Sequence, residues 1–246
     1  MPDETRVNSR RARSVLVVIA LVGASIGALI GLVVGAPVVG ALVGLAGGAA
    51  AAVWLERTST DRVLRRLDAR PLAAGEEPRL QNLVEGLSLT SGVPTPALHV
   101  VDDPYHDVAV LGRTPRDAAL VFTSALLGSL ERIELEGVVA HLLVRIRNDE
   151  IAPATLAAGL GPLSGPVVDR LLAPDRITRA DLEACQLTRY PPGLIGALEK
   201  VAAARPTMTH ARVPVPAHLC FAPAGSDRAH SSHPPLDERI ALLREL

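Results

Sequence analysis

Several residue types that usually carry chemistry are scarce in this chain of 246 residues. It has two cysteines, Cys185 and Cys220, far apart and in no metal-ligand spacing. That excludes a cysteine-based zinc cluster; reduced core thiols are the better reading, and a disulfide in a secreted protein is the alternative. Aromatic residues make up 2%, against abundant alanine, glycine and arginine, a bias of coding composition more than of function. The formal net charge is -1, without the basic excess that nucleic-acid binding proteins carry, so no nucleic-acid partner is expected. The length suffices for one domain plus a membrane anchor.

The most informative absence is local. From Ser14 to Leu55 there is no charged residue. As one straight helix this run would extend roughly 60 Å, about twice the hydrocarbon thickness of a bilayer, so it must fold back. Gly35-Ala36-Pro37 lies near its middle, and proline with its preceding residue disfavours continued helix. Two spans are predicted, residues 15–35 and 38–55. Arg6, Arg10, Arg11 and Arg13 precede them; Arg57, Arg62, Arg65, Arg66 and Arg70 follow. With basic residues on both flanks, the positive-inside rule leaves both ends cytoplasmic and makes the number of spans even. A cleaved signal peptide is the rival reading, but its apolar core would be shorter.

Within this run Gly23, Gly27, Gly31 and Gly35 recur every fourth residue, as do Gly40, Gly44 and Gly48. Each set lies on one helix face, where glycine lets backbones approach closely in lipid. A glycine zipper of this kind serves as a seam between the two spans or as a surface for a membrane-protein partner or a second copy.

The chain is expected to divide into a cytoplasmic tail at 1–13, a transmembrane hairpin at 14–55 and a globular domain at 56–246. In the last, residues 75–92 read as an amphipathic helix stopped by Gly92. Residues 98–101, 108–111 and 119–122 read as strands separated by turn residues. Thr123 and Ser124 can cap a short helix, and a longer one starts at Glu134 with Leu135, Val138, Val139, Leu142 and Ile146 on its apolar face. Residues 151–172, with three prolines, read as a buried or membrane-surface segment. Helices are predicted at 179–187, 192–203 and 236–245. The fold class is α+β, mostly helical with a small sheet.

Short motifs in order then carry a resemblance. They are Ala69-Arg70-Pro71-Leu72, Glu77-Pro78-Arg79-Leu80 and Gly92-Val93-Pro94, then Glu134-Leu135-Glu136-Gly137-Val138-Val139-Ala140-His141 and Ile146-Arg147-Asn148-Asp149. Ala180-Asp181, Leu187-Thr188-Arg189-Tyr190-Pro191 and Ala197-Leu198-Glu199-Lys200 follow, and His233-Pro234-Pro235-Leu236-Asp237-Glu238-Arg239-Ile240 closes the series. Together they resemble the HtpX-type membrane zinc metallopeptidases, from about residue 69 to the end. The resemblance implies a zincin-like domain behind a membrane anchor.

It also implies a site that this chain has lost. A zincin helix carries H-E-x-x-H, two histidines for zinc and a glutamate as general base on the metal-bound water. The corresponding stretch here is His141-Leu142-Leu143-Val144-Arg145. The first ligand remains, leucine stands for the base and arginine for the second ligand. The family's third ligand falls on Ile177, four residues before Asp181. Leucine cannot take a proton, isoleucine has no lone pair, and arginine stays protonated and repels a dication. The family's substrate-binding edge strand is replaced as well, by Asp107-Val108-Ala109-Val110.

No metal is therefore expected. His141 is a remnant ligand, Asp181 the residue that orients it, and His233 matches a cleft-lining histidine of the family. A substitute metal site from His141, His233 and Asp181 is the alternative donor set, although Arg145 would project into it. Two placements of Arg145 stand open: paired with Asp181 beside His141, or turned to solvent.

The chain is identified as a degenerate member of this family. It is expected to be an inactive pseudopeptidase in the cell membrane, with its domain cytoplasmic, serving binding or regulation in membrane-protein quality control. The alternatives are an active zinc metalloendopeptidase with non-standard ligands and a scaffold that assembles through its glycine-rich hairpin.

Overall fold

The computed structural model describes residues 2–159, 175–204, 216–223 and 233–246; for residues 2–13 it describes the backbone path alone. Two long helices open the chain, α1 (Pro2–Val34) and α2 (Pro37–Arg66). Between them Gly35 takes φ 78° and Pro37 starts α2, where its missing N–H costs nothing. Both helices are long and apolar enough to cross a membrane. Their outer faces carry exposed apolar side chains such as Leu29, Val33 and Leu42.

The facing glycines explain how closely the pair approaches. A Cβ added to Gly27 would lie 2.2 Å from the Gly40 carbonyl oxygen, and one on Gly44 would lie 2.2 Å from that of Gly23. No side chain fits there.

Helix α2 does not stop at residue 55. It continues through Arg57, Arg62 and Arg65 to Arg66, so the predicted boundary between hairpin and domain falls inside a continuous helix. Charged residues end an apolar run without ending a helix, because arginine and glutamate are good helix formers.

A four-stranded sheet follows, in the order β1-β2-β4-β3. It comprises β1 (Arg70–Pro71), β2 (Ala97–Val101), β3 (Val108–Leu111) and β4 (Ala119–Thr123). β2 and β4 run parallel; the other two pairings are antiparallel. The two-residue β1 was not anticipated, being too short to show a period.

α3 (Pro78–Ser91) ends on Gly92 at φ 70°, as its sequence predicts. Thr123 caps α4 (Ser124–Ser129), its hydroxyl accepting from the Leu126 N–H at 3.3 Å. α5 (Arg132–Arg147) runs through the middle of the domain and is buried on nearly every side, not only along the predicted stripe. Its apolar side chains pack with Leu80, Val84, Leu120, Phe122 and Leu198 in the main core.

α7 (Arg176–Thr188) and α8 (Pro191–Ala204) pack on α5, and α9 (Leu236–Leu243) closes the chain against both. Of the segment expected at 151–172, residues Ile151–Gly159 form α6, with Pro153 in its first turn where no N–H is missed. The rest of that segment lies outside the described residues.

α6 packs against α1 and α2. Arg66 donates to the Ala158 carbonyl at 3.4 Å, and Ala154, Ala157 and Ala158 share a second apolar cluster with Val63, Leu67 and Leu111. The domain thus sits directly on the end of the hairpin.

Candidate functional site

Two helices supply the residues that the sequence points to. On α5, Glu131 and Glu134 form a capping box that fixes the start of the helix. From there His141 and Arg145 fall one turn apart on one face. On α7, Ile177 and Asp181 are likewise one turn apart. All four are buried, as is Leu142.

The structure brings His141 and Asp181 together, with Nδ1 2.8 Å from Oδ1 in contact but off the linear hydrogen-bond direction. The imidazole meets the Phe221 ring edge-on, with centroids 5.1 Å apart. Its Nε2 is buried without a hydrogen-bond partner among the described residues. Burial pulls the His141 pKa down to about 4, more than Asp181 lifts it, so the ring is neutral at pH 7.

The partner of Asp181 was not the one expected. Arg239 of α9 grips its carboxylate with Nε and Nη2 at 2.7 and 2.8 Å, and donates Nη1 to the Phe221 carbonyl at 2.8 Å. Burial works against ionisation of Asp181, but Arg239 and the His141 contact bring its pKa down to about 2.

Arg145 takes neither predicted placement. It is fully buried, and its guanidinium is bound to backbone instead of Asp181. Nη2 donates to the His218 carbonyl at 2.8 Å, and Nη1 to those of Leu219 and Cys220 at 3.2 and 3.1 Å. Its Nε lies 3.9 Å from Glu150 Oε2. The carbonyls of residues 218–220 had no sequence signal, so nothing could announce this pairing.

The same short segment gathers the remaining histidines of the site. His233 Nε2 is 3.0 Å from the Cys220 carbonyl, and His218 Nε2 is 3.0 Å from that of Ala154. Each carbonyl requires the ring nitrogen facing it to carry the proton, so those nitrogens are donors and not ligands. Burial, with help from neighbouring arginines, holds His233 well below its usual pKa and His218 at about 4. Cys220 is bridged to Ala109 of β3. Asp107 Oδ1 accepts from the N–H groups of Val108, Phe221 and Ala222, fastening the segment along the edge of the sheet.

Among the described residues, no three His, Cys, Asp or Glu side chains gather as a ligand set, and the donor set of His141, His233 and Asp181 is not assembled. Beside His141 stand a hydrocarbon, Leu142, and a buried guanidinium. Arg239, Glu150 and His218 were missed as site residues, as was Arg176, whose Nη2 donates to the His218 carbonyl at 3.4 Å. Arg239 lay in the C-terminal motif, and only its role was hidden.

A short sheet, a central helix bearing His141, and helices bearing Asp181 and Arg239 follow two apolar helices long enough to cross a membrane, the architecture of a helical hairpin joined to a small α+β domain. Comparison with known proteins narrows this. The chain is 33% identical over 228 residues to a protease HtpX homolog of Dictyoglomus turgidum, covering 76% of this chain and 75% of the relative. It is 33% identical over 222 residues to the homolog of Tropheryma whipplei (strain Twist), covering 72% and 76%. With the homolog of Streptococcus gordonii it shares 26% identity along 99% of both chains. The chain belongs to the HtpX protease family. No family model matches it. No solved structure matches it.

Proposed function

We propose that this protein is a membrane-anchored, non-catalytic relative of the HtpX proteases. It keeps the fold as a binding or regulatory module beside membrane proteolysis. The observation that carries the reading is Arg145. Its fixed positive charge is buried one turn from His141, where the family motif calls for a second zinc ligand, and three backbone carbonyls hold it there. A guanidinium so held repels a divalent ion, and Leu142 offers no base to activate a water.

Similarity to the HtpX proteases extends over most of the chain, and function resides in a site more than in a scaffold. Retention of the domain without its donors fits recognition of a partner. In this reading the protein crosses the cell membrane twice with its domain on the cytoplasmic side, and it binds no zinc.

Scaffolding through the glycine faces is the weaker reading, because Gly23, Gly27, Gly40 and Gly44 are already spent against one another inside the hairpin. The deciding experiment measures zinc per chain and casein cleavage on detergent-purified, full-length protein. Zinc far below one per chain and no chelator-sensitive cleavage are expected. Stoichiometric zinc with chelator-sensitive cleavage overturns the reading in favour of an active enzyme with unusual ligands.

A further inference from the structure

We infer that the end of the apolar run on α2 carries a binding site for one anionic phospholipid, built from Trp54, Arg57 and Arg62. The site is a groove of about 550 Å³ lined by Ala49, Ala50, Val53, Trp54, Arg57 and Thr58. That size falls within the roughly 300–1,000 Å³ of small-molecule pockets. Its upper wall is hydrocarbon, its lower end cationic, and the change of character comes at Trp54, which is 62% exposed.

Tryptophan at such a junction marks the level of the lipid headgroups. The Arg62 guanidinium lies over the indole at 3.7 Å from its centroid, and its Nη2 is buried without a hydrogen-bond partner among the described residues. Arg57 is exposed at the mouth of the groove. Glu56 and Asp61 share the helix, yet neither pairs with these arginines.

Two guanidiniums without a counter-anion among the described residues, set where an apolar groove ends, match a ligand that is hydrocarbon above and negative below. The acyl chain lies along Ala49, Ala50 and Val53, and the headgroup meets Arg57 and Arg62. A zwitterionic lipid fills the groove equally well but carries its own compensating cation, so charge makes the selection. Arginine near an anionic membrane surface contributes about 1 kcal/mol, a preference of about fivefold for each residue.

Trp54 is the single tryptophan of the chain, so its fluorescence reports on this site alone. Full-length protein is reconstituted in phosphatidylcholine vesicles with graded amounts of dibrominated phosphatidylglycerol or dibrominated phosphatidylcholine, and quenching is compared. The expected result is a preference for phosphatidylglycerol of about fivefold or more. It should fall to near parity in Arg57→Gln/Arg62→Gln and persist in Arg57→Lys/Arg62→Lys. Equal quenching by the two lipids in the unaltered protein overturns the proposal, as does a preference that survives both Gln changes. Loss of the preference on adding soluble glycerol 3-phosphate also overturns it, by making the site one for free phosphate.

Discussion

Arg239 holds Asp181 through both carboxylate oxygens, at 2.7 and 2.8 Å, so the acid that faces His141 is already committed to a permanent cation. The pair is nearly inaccessible, with 1% of each side chain exposed. It ties α9 to α7 beneath α5.

Removing either member should therefore be costly. Arg239→Met leaves a buried carboxylate with only a neutral imidazole, and Asp181→Asn leaves a buried guanidinium; each should lose about 3–5 kcal/mol of stability. The double variant should lose clearly less than the sum, because no charge is then stranded. Denaturant unfolding of the three variants in detergent measures this, and additive losses would show that the pair is not coupled.

Building the family's donors into the site should confer stoichiometric zinc binding. The triple change Leu142→Glu, Arg145→His and Ile177→Glu restores the family's donors around His141 and removes the buried guanidinium. Zinc close to one per chain is expected by elemental analysis, with a rise in melting temperature on adding zinc. A triple variant that folds but stays metal-free would mean that these positions do not converge on His141.

Acid should destabilise the domain through its buried histidines. His141 and His218, each at about 4 in the fold against about 6.5 unfolded, contribute stability that is complete above pH 6.5 and declines as pH falls toward 4. Glu150 acts in the opposite sense. Burial raises it to about 7, so its contribution is complete below its unfolded value near 4.5 and is lost as pH rises through 7. Glu150→Gln removes this opposing group. Its stability should fall more steeply between pH 7 and pH 5 than that of the unaltered protein, in a series of denaturant midpoints.

The hairpin offers a matched pair of substitutions. Valine at Gly27 would drive its Cβ to 2.2 Å from the Gly40 carbonyl, whereas alanine at Gly47 meets nothing within 4 Å. Gly27→Val should lower the melting temperature of the detergent-solubilised chain, at a cost of about 1–3 kcal/mol typical of overpacking. Gly47→Ala should leave it unchanged. Equal behaviour of the two would place the glycine contacts elsewhere.

Much of this architecture was legible because its signals are periodic or punctual. The uncharged run gave the hairpin, Gly92 the end of α3, and the alternation of turns and β-branched residues the strands β2 to β4. The family resemblance paired His141 with Asp181, and the structure places Nδ1 of one 2.8 Å from Oδ1 of the other. What could not be read was long-range and backbone-borne. The carbonyls at 218–220 that capture Arg145 look like any others in sequence, and Arg145 occupies neither of its two expected placements. Arg239 was visible within a motif, but only its distance to Asp181 gives it a role.

Helix α6 joins the two halves of the molecule mechanically. Its Ala158 carbonyl takes Arg66 at the foot of α2, its Thr155 hydroxyl takes the Gly112 N–H beyond β3, and its Ala154 carbonyl takes His218. The foot of α2 and the residue whose carbonyl accepts from Arg145 are therefore held by one and the same short helix.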